Sequence, residues 1–356
     1  MDIKYQINWL LSLEQEQQTI IEPVVFQLLA FIQQKGSLKS AAEQAQVSYR
    51  YAWGLLNKWQ ARFGTLVILE PGRGAHLSPL GEKLLNANTQ LNAKFSPGLD
   101  NFATECKREL NALLTENNTA SLNIYASHGL AVSALRQLIN QQSDFKLDLH
   151  FHGSLESLHA LHNKQCDIAG FHIPIGPLST ALLPQYLDVL SPATHDLIYV
   201  VKRNQGLMYR PDNIKDISSI QSLKDRELTF INRQENSGTR LLFDQLIESE
   251  NIKPEHINGY DHEEFTHLAV AALVASGAAD ISFGIAPMAE KFNLEFIPLV
   301  WEHYCLAVPK VIAKDDRVLQ ITALLQSDEF KQSLANINGY QTLLSGETVN
   351  FDRIFA

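Results

Sequence analysis

Residues 236–240 read Asn-Ser-Gly-Thr-Arg, between a stretch with strand character and a run that opens Leu241-Leu242 at helical spacing. These residue types in this order suit an oxyanion. Ser237 can cap the helix or donate its hydroxyl, Gly238 lets backbone amides approach a ligand, Thr239 adds a hydroxyl, and Arg240 offers a forked cation. Two further turns, Ser127-His128-Gly129 and Gly153-Ser154, also follow a strand and precede a helix. Donors from both halves of a two-lobed domain would then converge on one anion, where helix amino ends favour negative charge. Thr266, at the start of a later helix, adds a hydroxyl or serves only as a cap. Each of these hydroxyls has a plainer reading as a helix cap, and Arg240 has one as the partner of a structural carboxylate.

Histidine is frequent. His150 and His152 share a strand face and His159 and His162 a helix side, but the pairs lie on different elements, and a metal needs three or four converging ligands. No metal site is expected; His128 and His172, each following a first-lobe strand, are placed along a cleft instead. Cys106, Cys166 and Cys305 are odd in number and far apart, which points to reduced thiols rather than a disulfide framework or zinc site. The chain has no G-x-S-x-G elbow, no P-loop and no H-E-x-x-H, so a binding fold without chemistry is expected rather than an enzyme with a DNA-binding appendage.

A second chemistry sits near the amino end. Ser37 can cap a short helix whose Ala41, Ala42 and Ala45 allow close approach of another, Val47 fills a turn, and Ser48 caps the next start. That is the pattern of a helix-turn-helix. The second helix carries Ser48, Tyr49, Arg50 and Tyr51 outward, where base edges would be read, while Leu55, Leu56 and Trp59 face a core. From residue 23 to 80, Lys35, Lys39, Arg50, Lys58, Arg62 and Arg73 stand against Glu43 and Glu70, although the whole chain carries a net charge of -10. Basic charge confined to one segment of an acidic chain fits phosphate attraction there. Residues 66–69 form a short apolar strand, a turn follows at 71–74, and 75–78 return, with Arg73 at the tip able to reach phosphate or a minor groove.

This amino-terminal run, with GSLKSAAEQAQVSYRYAW at 36–53, the wing and the restart LSPLGEKLL, resembles the winged-helix domain of ModE-type molybdate-responsive and LysR-type regulators. The resemblance covers about the first quarter of the chain. Residues 81–114 then show leucines and small residues at helical spacing, interrupted at Ser96-Pro97-Gly98. A long connecting helix is expected there, and the resemblance implies that it dimerises the protein.

From residue 120 the pattern alternates. Strands at 121–126, 147–151 and 167–171 enclose helices at 129–140 and 154–163, and a second set follows with strands at 196–201, 228–232 and 280–285 and helices from 237 and at 265–276. Two lobes around a cleft are implied, with ligand beyond the carboxyl ends of the strands. The runs NRQENSGTR, FTHLAVAALVASGAADISFGI and EFIPLVWEHYCLAVPK make this half similar to the type II periplasmic-binding-protein fold, specifically to domains related to molybdate and tungstate receptors. That resemblance implies ligand contacts at Ser127, Ser154, Ser237, Thr239 and Arg240, although the Ser127-His128-Gly129 turn lacks the hydroxyl-rich character of dedicated receptors.

The expected architecture is α/β: a winged helix-turn-helix at 1–80, a linker and dimerisation helix at 81–118, and a two-lobed periplasmic-binding-protein-like domain at 119–356, with lobe I at 119–196 and 301–345 and lobe II at 197–300. The expected function is a one-component transcription regulator, homo-oligomeric, partnered by duplex operator DNA and by an oxyanion effector, molybdate or tungstate first, with no covalent cofactor. A small organic acid or a pterin-like cofactor is the alternative effector. No apolar run approaches the ~20 residues of a membrane span and the start of the chain has no secretory pattern, so a cytoplasmic location is expected.

Overall fold

A computed structural model describes residues 3, 5–11, 19–70, 74–114, 121–212, 217–224, 227–235 and 237–355, by backbone alone at 97, 108, 111–114 and 181. The chain separates into two compact units, one of Tyr5–Ala93 and the other dominated by Lys94–Ala356.

In the first unit, β1 (Trp9–Leu11) and β2 (Thr19–Ile21) pair antiparallel. Helix α1 (Pro23–Lys35) follows and stops at Gly36, whose φ of 64° suits a residue without a side chain. Ser37 caps α2 (Leu38–Gln44) by accepting the Ser40 N–H at 3.4 Å, and Ser48 caps α3 (Tyr49–Phe63) by accepting that of Tyr51 at 3.1 Å. Ala41, Ala42, Leu55, Leu56 and Trp59 are buried against α1. The Trp59 indole donates to Glu22 at 2.6 Å, so the largest side chain of this core leaves no polar atom unpaired. On the outer side of α3, Tyr49, Arg50, Tyr51 and Trp53 are exposed. Strands β3 (Val67–Glu70) and β4 (Gly74–Leu77) form an antiparallel hairpin. Its tip, with Arg73, lies outside the described residues.

Helix α4 (Pro79–Leu114) is helical throughout, including the 96–98 step where an interruption was expected. The border between the compact units falls within it, at Ala93/Lys94, rather than at residue 80 or 118.

The second unit is built on one mixed sheet. Strands β5 (Ser121–Ala126), β6 (Lys146–Phe151) and β7 (Ile168–Pro174) are parallel, and α5 (Leu130–Gln142), α6 (Ser154–His162) and α7 (Ser179–Leu187) follow them in turn. The long β8 (His195–Tyr209) leads to β9 (Phe230–Arg233), α8 (Gly238–Ser249), β10 (Glu263–Glu264), α9 (His267–Ala275), β11 (Ile281–Ile285) and α10 (Ala286–Lys291). A second long strand, β12 (Glu295–Pro309), returns antiparallel to β8 and is followed by α11 (Asp316–Gln326), α12 (Asp328–Ala335), β13 (Tyr340–Gln341), β14 (Thr348–Val349) and α13 (Phe351–Phe355).

β8 and β12 pass through both lobes. Residues 302–307 of β12 pair with β7 in the first lobe, whereas 205–209 of β8 pair with β11 in the second. The crossing on β8 therefore lies near Asn204, not at the expected 196/197 step. β13 and β14 also pair with the first-lobe half of β8, which carries that lobe past the expected limit at 345. Helices cover both faces of each lobe, and four separate apolar clusters fill the layers. That coverage explains the nearly unbroken apolar runs in β7 and β11, since strands buried on both faces lose the polar alternation of a solvated sheet.

Candidate functional site

The amino ends of α5, α6, α8 and α9 follow strand ends around a cleft of about 990 Å³. The first N–H groups of a helix have no intrahelical partner, and the macrodipole adds partial positive charge, so four such ends favour an anion between them. Ser127, His128, His172, Ser237, Gly238 and Thr239 line this cleft. Ser154, Arg240 and Thr266 do not.

Each of those three has a partner that explains its position. Ser154 is fully buried, and its hydroxyl accepts the backbone N–H of His172 at 3.1 Å. Thr266 caps α9 by accepting the Ala269 N–H at 3.0 Å. Arg240, expected as the forked cation for the ligand, instead gives Nε to Asp244 at 2.9 Å and Nη1 to Glu263 at 2.7 Å, and its guanidinium lies 4.2 Å from the Tyr260 ring centre. Two carboxylates and an aromatic face use its donors, so the resemblance-based contact at Arg240 is revised to a structural ion pair. Ser237 keeps its cap role within the cleft, accepting the Arg240 N–H at 3.1 Å.

The buried cations of the cleft are Arg203 and Arg233, which sequence reasoning did not single out, whereas Lys94 at its wall is exposed and pairs with Glu264 at 3.3 Å. Arg203 is 3 % exposed and donates to Glu302, whose other oxygen accepts from Gln205 at 2.8 Å. Burial works against the Arg203 charge, but Glu302 and Tyr340 outweigh it and raise the pKa. Arg233, the last residue of β9, is 8 % exposed. It reaches the Gln234 side chain at 3.1 Å and the Phe265 carbonyl at 2.9 Å, neither of them a charge, and its Nη1 has no hydrogen-bond partner among the described residues. Burial, then the nearby Arg203 charge, pull its pKa down to about 9, which leaves it cationic at neutral pH. A buried cation with an open donor is costly unless an anion completes it.

Beside these charges, burial and the arginines push two imidazoles toward the neutral form. Burial first, then the charges of Arg203 and Arg233, hold His172 well below its ordinary pKa. The same causes act on His267, with Arg233 the larger of the two charges. His172 Nε2 lies 2.7 Å from the Ser127 hydroxyl, and its Nδ1 is 3.3 Å from Glu302. His267 Nε2 lies 3.4 Å from the Thr239 hydroxyl. Each imidazole thus holds one hydroxyl that faces the cleft.

The outer wall is partly aromatic, with Phe95, Phe151 and Phe265. Lys94, Gly98 and Asn101, from the middle of α4, complete it. Asn101 clamps the end of β6, accepting the Phe151 N–H at 2.7 Å and donating to the Phe151 carbonyl at 3.1 Å. Among the described residues no three His, Cys, Asp or Glu side chains group as a metal ion would need. None of the described helices is long and apolar enough to cross a membrane.

A two-lobed α/β unit with its cleft at the strand and helix ends defines a binding-protein class. The chain belongs to the PBP superfamily, whose domain model matches residues 135–326. Two relatives in sequence are themselves uncharacterized. The protein YvgK of Bacillus subtilis (strain 168) is 32% identical over 200 residues, 56% of this chain and 64% of its own length. A protein from the 5' region of a 2Fe-2S ferredoxin gene of Clostridium pasteurianum is 36% identical over 110 residues, 31% of this chain and 97% of its own. The chain therefore spans just under two thirds of the first relative. Among solved structures, a hydrogen-peroxide-bound cysteine mutant of Corynebacterium glutamicum OxyR aligns at a TM-score of 0.44 and 13% identity, covering 88% of this chain and 94% of that one. An ABC-type phosphate transport receptor from Vibrio cholerae aligns at 0.45 and 15%, covering 62% and 98%.

Proposed function

We propose that the chain is a one-component regulator that binds duplex DNA through residues 5–93 and a small oxyanion, molybdate or tungstate first, in the cleft of its second unit. The observation that carries the ligand half is Arg233, a buried cation with an open donor. It shares the cleft with hydroxyls at Ser127, Ser237 and Thr239. Fixed donors around one uncompensated positive charge favour an anion rich in acceptor oxygens. No nucleophile, base and reacting position is needed to account for these groups, so binding without turnover is the reading kept.

The DNA half rests on α2 and α3, two helices joined by a short turn, with Tyr49, Arg50, Tyr51 and Trp53 exposed along α3 and the β3/β4 hairpin following. This order supports reading the segment as a winged helix-turn-helix, whose second helix α3 would enter the major groove. Dimerisation through α4 fits the pairing of such readers on a two-fold operator.

A second reading is favoured by cleft size. A space of about 990 Å³ bordered by Phe95, Phe151 and Phe265 also admits an organic anion with a flat ring, such as a pterin-like cofactor. Selection of duplex sequences by the full chain from a random pool, with and without tungstate, tests the regulator reading. Enrichment of one sequence with anion-dependent affinity is expected, and no enrichment under either condition removes it.

A further inference from the structure

Oxyanions of one shape present the same oxygens to a site, so hydrogen-bond donors alone do not tell a dianion from a monoanion. Net charge around the ligand does. In this cleft the two buried arginines differ in that respect. The hydrogen bonds of Arg233 go to the Gln234 amide and the Phe265 carbonyl, both uncharged. Arg203 stands directly across from Glu302 in the pairing of β8 with β12, and its Nε donates to one carboxylate oxygen. Gln205, two residues along β8 and so on the same strand face, donates to the other at 2.8 Å.

Glu302 is 1 % exposed and stands one side chain behind the cleft, bonded to Arg203 and 3.3 Å from His172, both of which line it. From that anchor the guanidinium reaches forward. A Cβ placed on Gly129, the residue that opens α5, would stand 3.9 Å from Arg203 Nη1, so this charge lies beside a helix amino end. The charges of Arg203 and Arg233 are both felt at His172 and His267, and thus fall on one region of the cleft. Together with Glu302 the two arginines leave a single net positive charge there.

Resting on the oxyanion reading above, we propose that Glu302 determines the charge specificity of the cleft: by cancelling Arg203 it holds down the preference for a tetrahedral dianion over a monoanion of the same shape. It does so without touching the ligand. A carboxylate buried behind the donors acts on each anion in proportion to the anion's charge, so its penalty on a dianion is about twice that on a monoanion. The helix ends and Arg233 supply the attraction, and Glu302 is the repulsive element that sets how strongly charge is rewarded.

Titration calorimetry of the full chain with tungstate and with perrhenate, a tetrahedral oxyanion of similar size and one negative charge fewer, reads the ratio of the two affinities. In Glu302→Gln, which keeps an acceptor for Arg203, the tungstate-to-perrhenate ratio is expected to rise about tenfold, and in Arg203→Gln to fall by a similar factor. The double variant restores the net charge and is expected to return the ratio to that of the unaltered chain, even where both affinities drop with the lost Arg203 donors. Thermal unfolding of each variant sets a titration temperature at which it is folded; if Glu302→Gln does not fold, Arg203→Gln against the double variant carries the same comparison. A ratio that stays constant while the affinities change assigns the pair a packing role and overturns the inference, as does a double variant that keeps the low ratio of Arg203→Gln. Absence of binding of both anions by the unaltered chain removes the oxyanion reading and the charge specificity with it.

Discussion

A Cβ placed on Gly238 would stand 3.1 Å from the Ser154 hydroxyl, so the amino ends of α8 and α6 lie almost in contact. Ser154 cannot yield easily, because it is fully buried and its oxygen accepts the His172 N–H. Gly238→Ala is therefore expected to crowd the lobes and destabilise the chain by about 1 to 3 kcal/mol. Denaturant unfolding of Gly238→Ala, Ser154→Ala and the double variant checks this. The contact predicts a coupling between the two sites, and strictly additive effects would contradict it.

The two arginines of the 233–240 segment should separate function from stability. Arg240→Ala strands Asp244 and Glu263, both partly exposed, and is expected to cost roughly 1 to 3 kcal/mol of stability while leaving anion affinity near its original value. Arg233→Ala removes a buried cation with an open donor, and its unfolding midpoint should fall less than that of Arg240→Ala or even rise. A large loss of anion affinity in Arg240→Ala, measured at a temperature where it is folded, would contradict this division.

Acid should weaken the empty protein in a definite window. His172 and His267 have folded pKa values depressed by burial and by Arg203 and Arg233, whereas the unfolded imidazole titrates at about 6.5. Below about pH 6.5 the unfolded chain binds more protons, so this stability is complete above that pH and is lost as the pH falls toward the folded values, by up to about 1.4 kcal/mol per pH unit for each ring. Unfolding midpoints at about pH 7.5 and 5.5 test the sign, with His172→Gln expected to shrink the difference. Tungstate should shrink it too, because a bound anion raises the folded pKa of His172.

For the first unit, Ser48→Ala is expected to lower stability by about 1 kcal/mol through loss of the α3 cap, and Arg50→Ala to leave stability unchanged. On a selected duplex, Arg50→Ala should weaken sequence-specific binding by roughly 1 to 3 kcal/mol if its exposed guanidinium pairs with a base edge. Fluorescence anisotropy with specific and scrambled duplexes distinguishes the two effects, and equal loss on both duplexes would place Arg50 on phosphate instead.

What the sequence made legible follows the range of the interactions involved. Ser37 and Ser48 announce helix starts because a cap acts within three residues, and the strand-turn-helix order of Ser127, Ser237 and Gly238 is equally local. The plainer reading of Arg240 as the partner of a carboxylate has a local signal, since Asp244 lies one helical turn ahead at the i,i+4 spacing that pairs charges. Arg203 and Glu302 are 99 residues apart, and only the antiparallel pairing of two long strands brings them together. One hint was available: the polar run KRNQ at 202–205 interrupts an otherwise apolar strand, and buried charge there requires a partner or a ligand. Arg233 likewise ends a strand, the position from which α/β folds address ligands.

The most direct measurement is calorimetry of tungstate and molybdate with the full chain and with Arg233→Ala. One saturable site is expected in the unaltered chain, with affinity reduced about tenfold to a hundredfold in the variant, the equivalent of one or two charge-assisted hydrogen bonds. Undiminished affinity in Arg233→Ala, or no binding of either anion by the unaltered chain, would contradict an oxyanion site built around this residue.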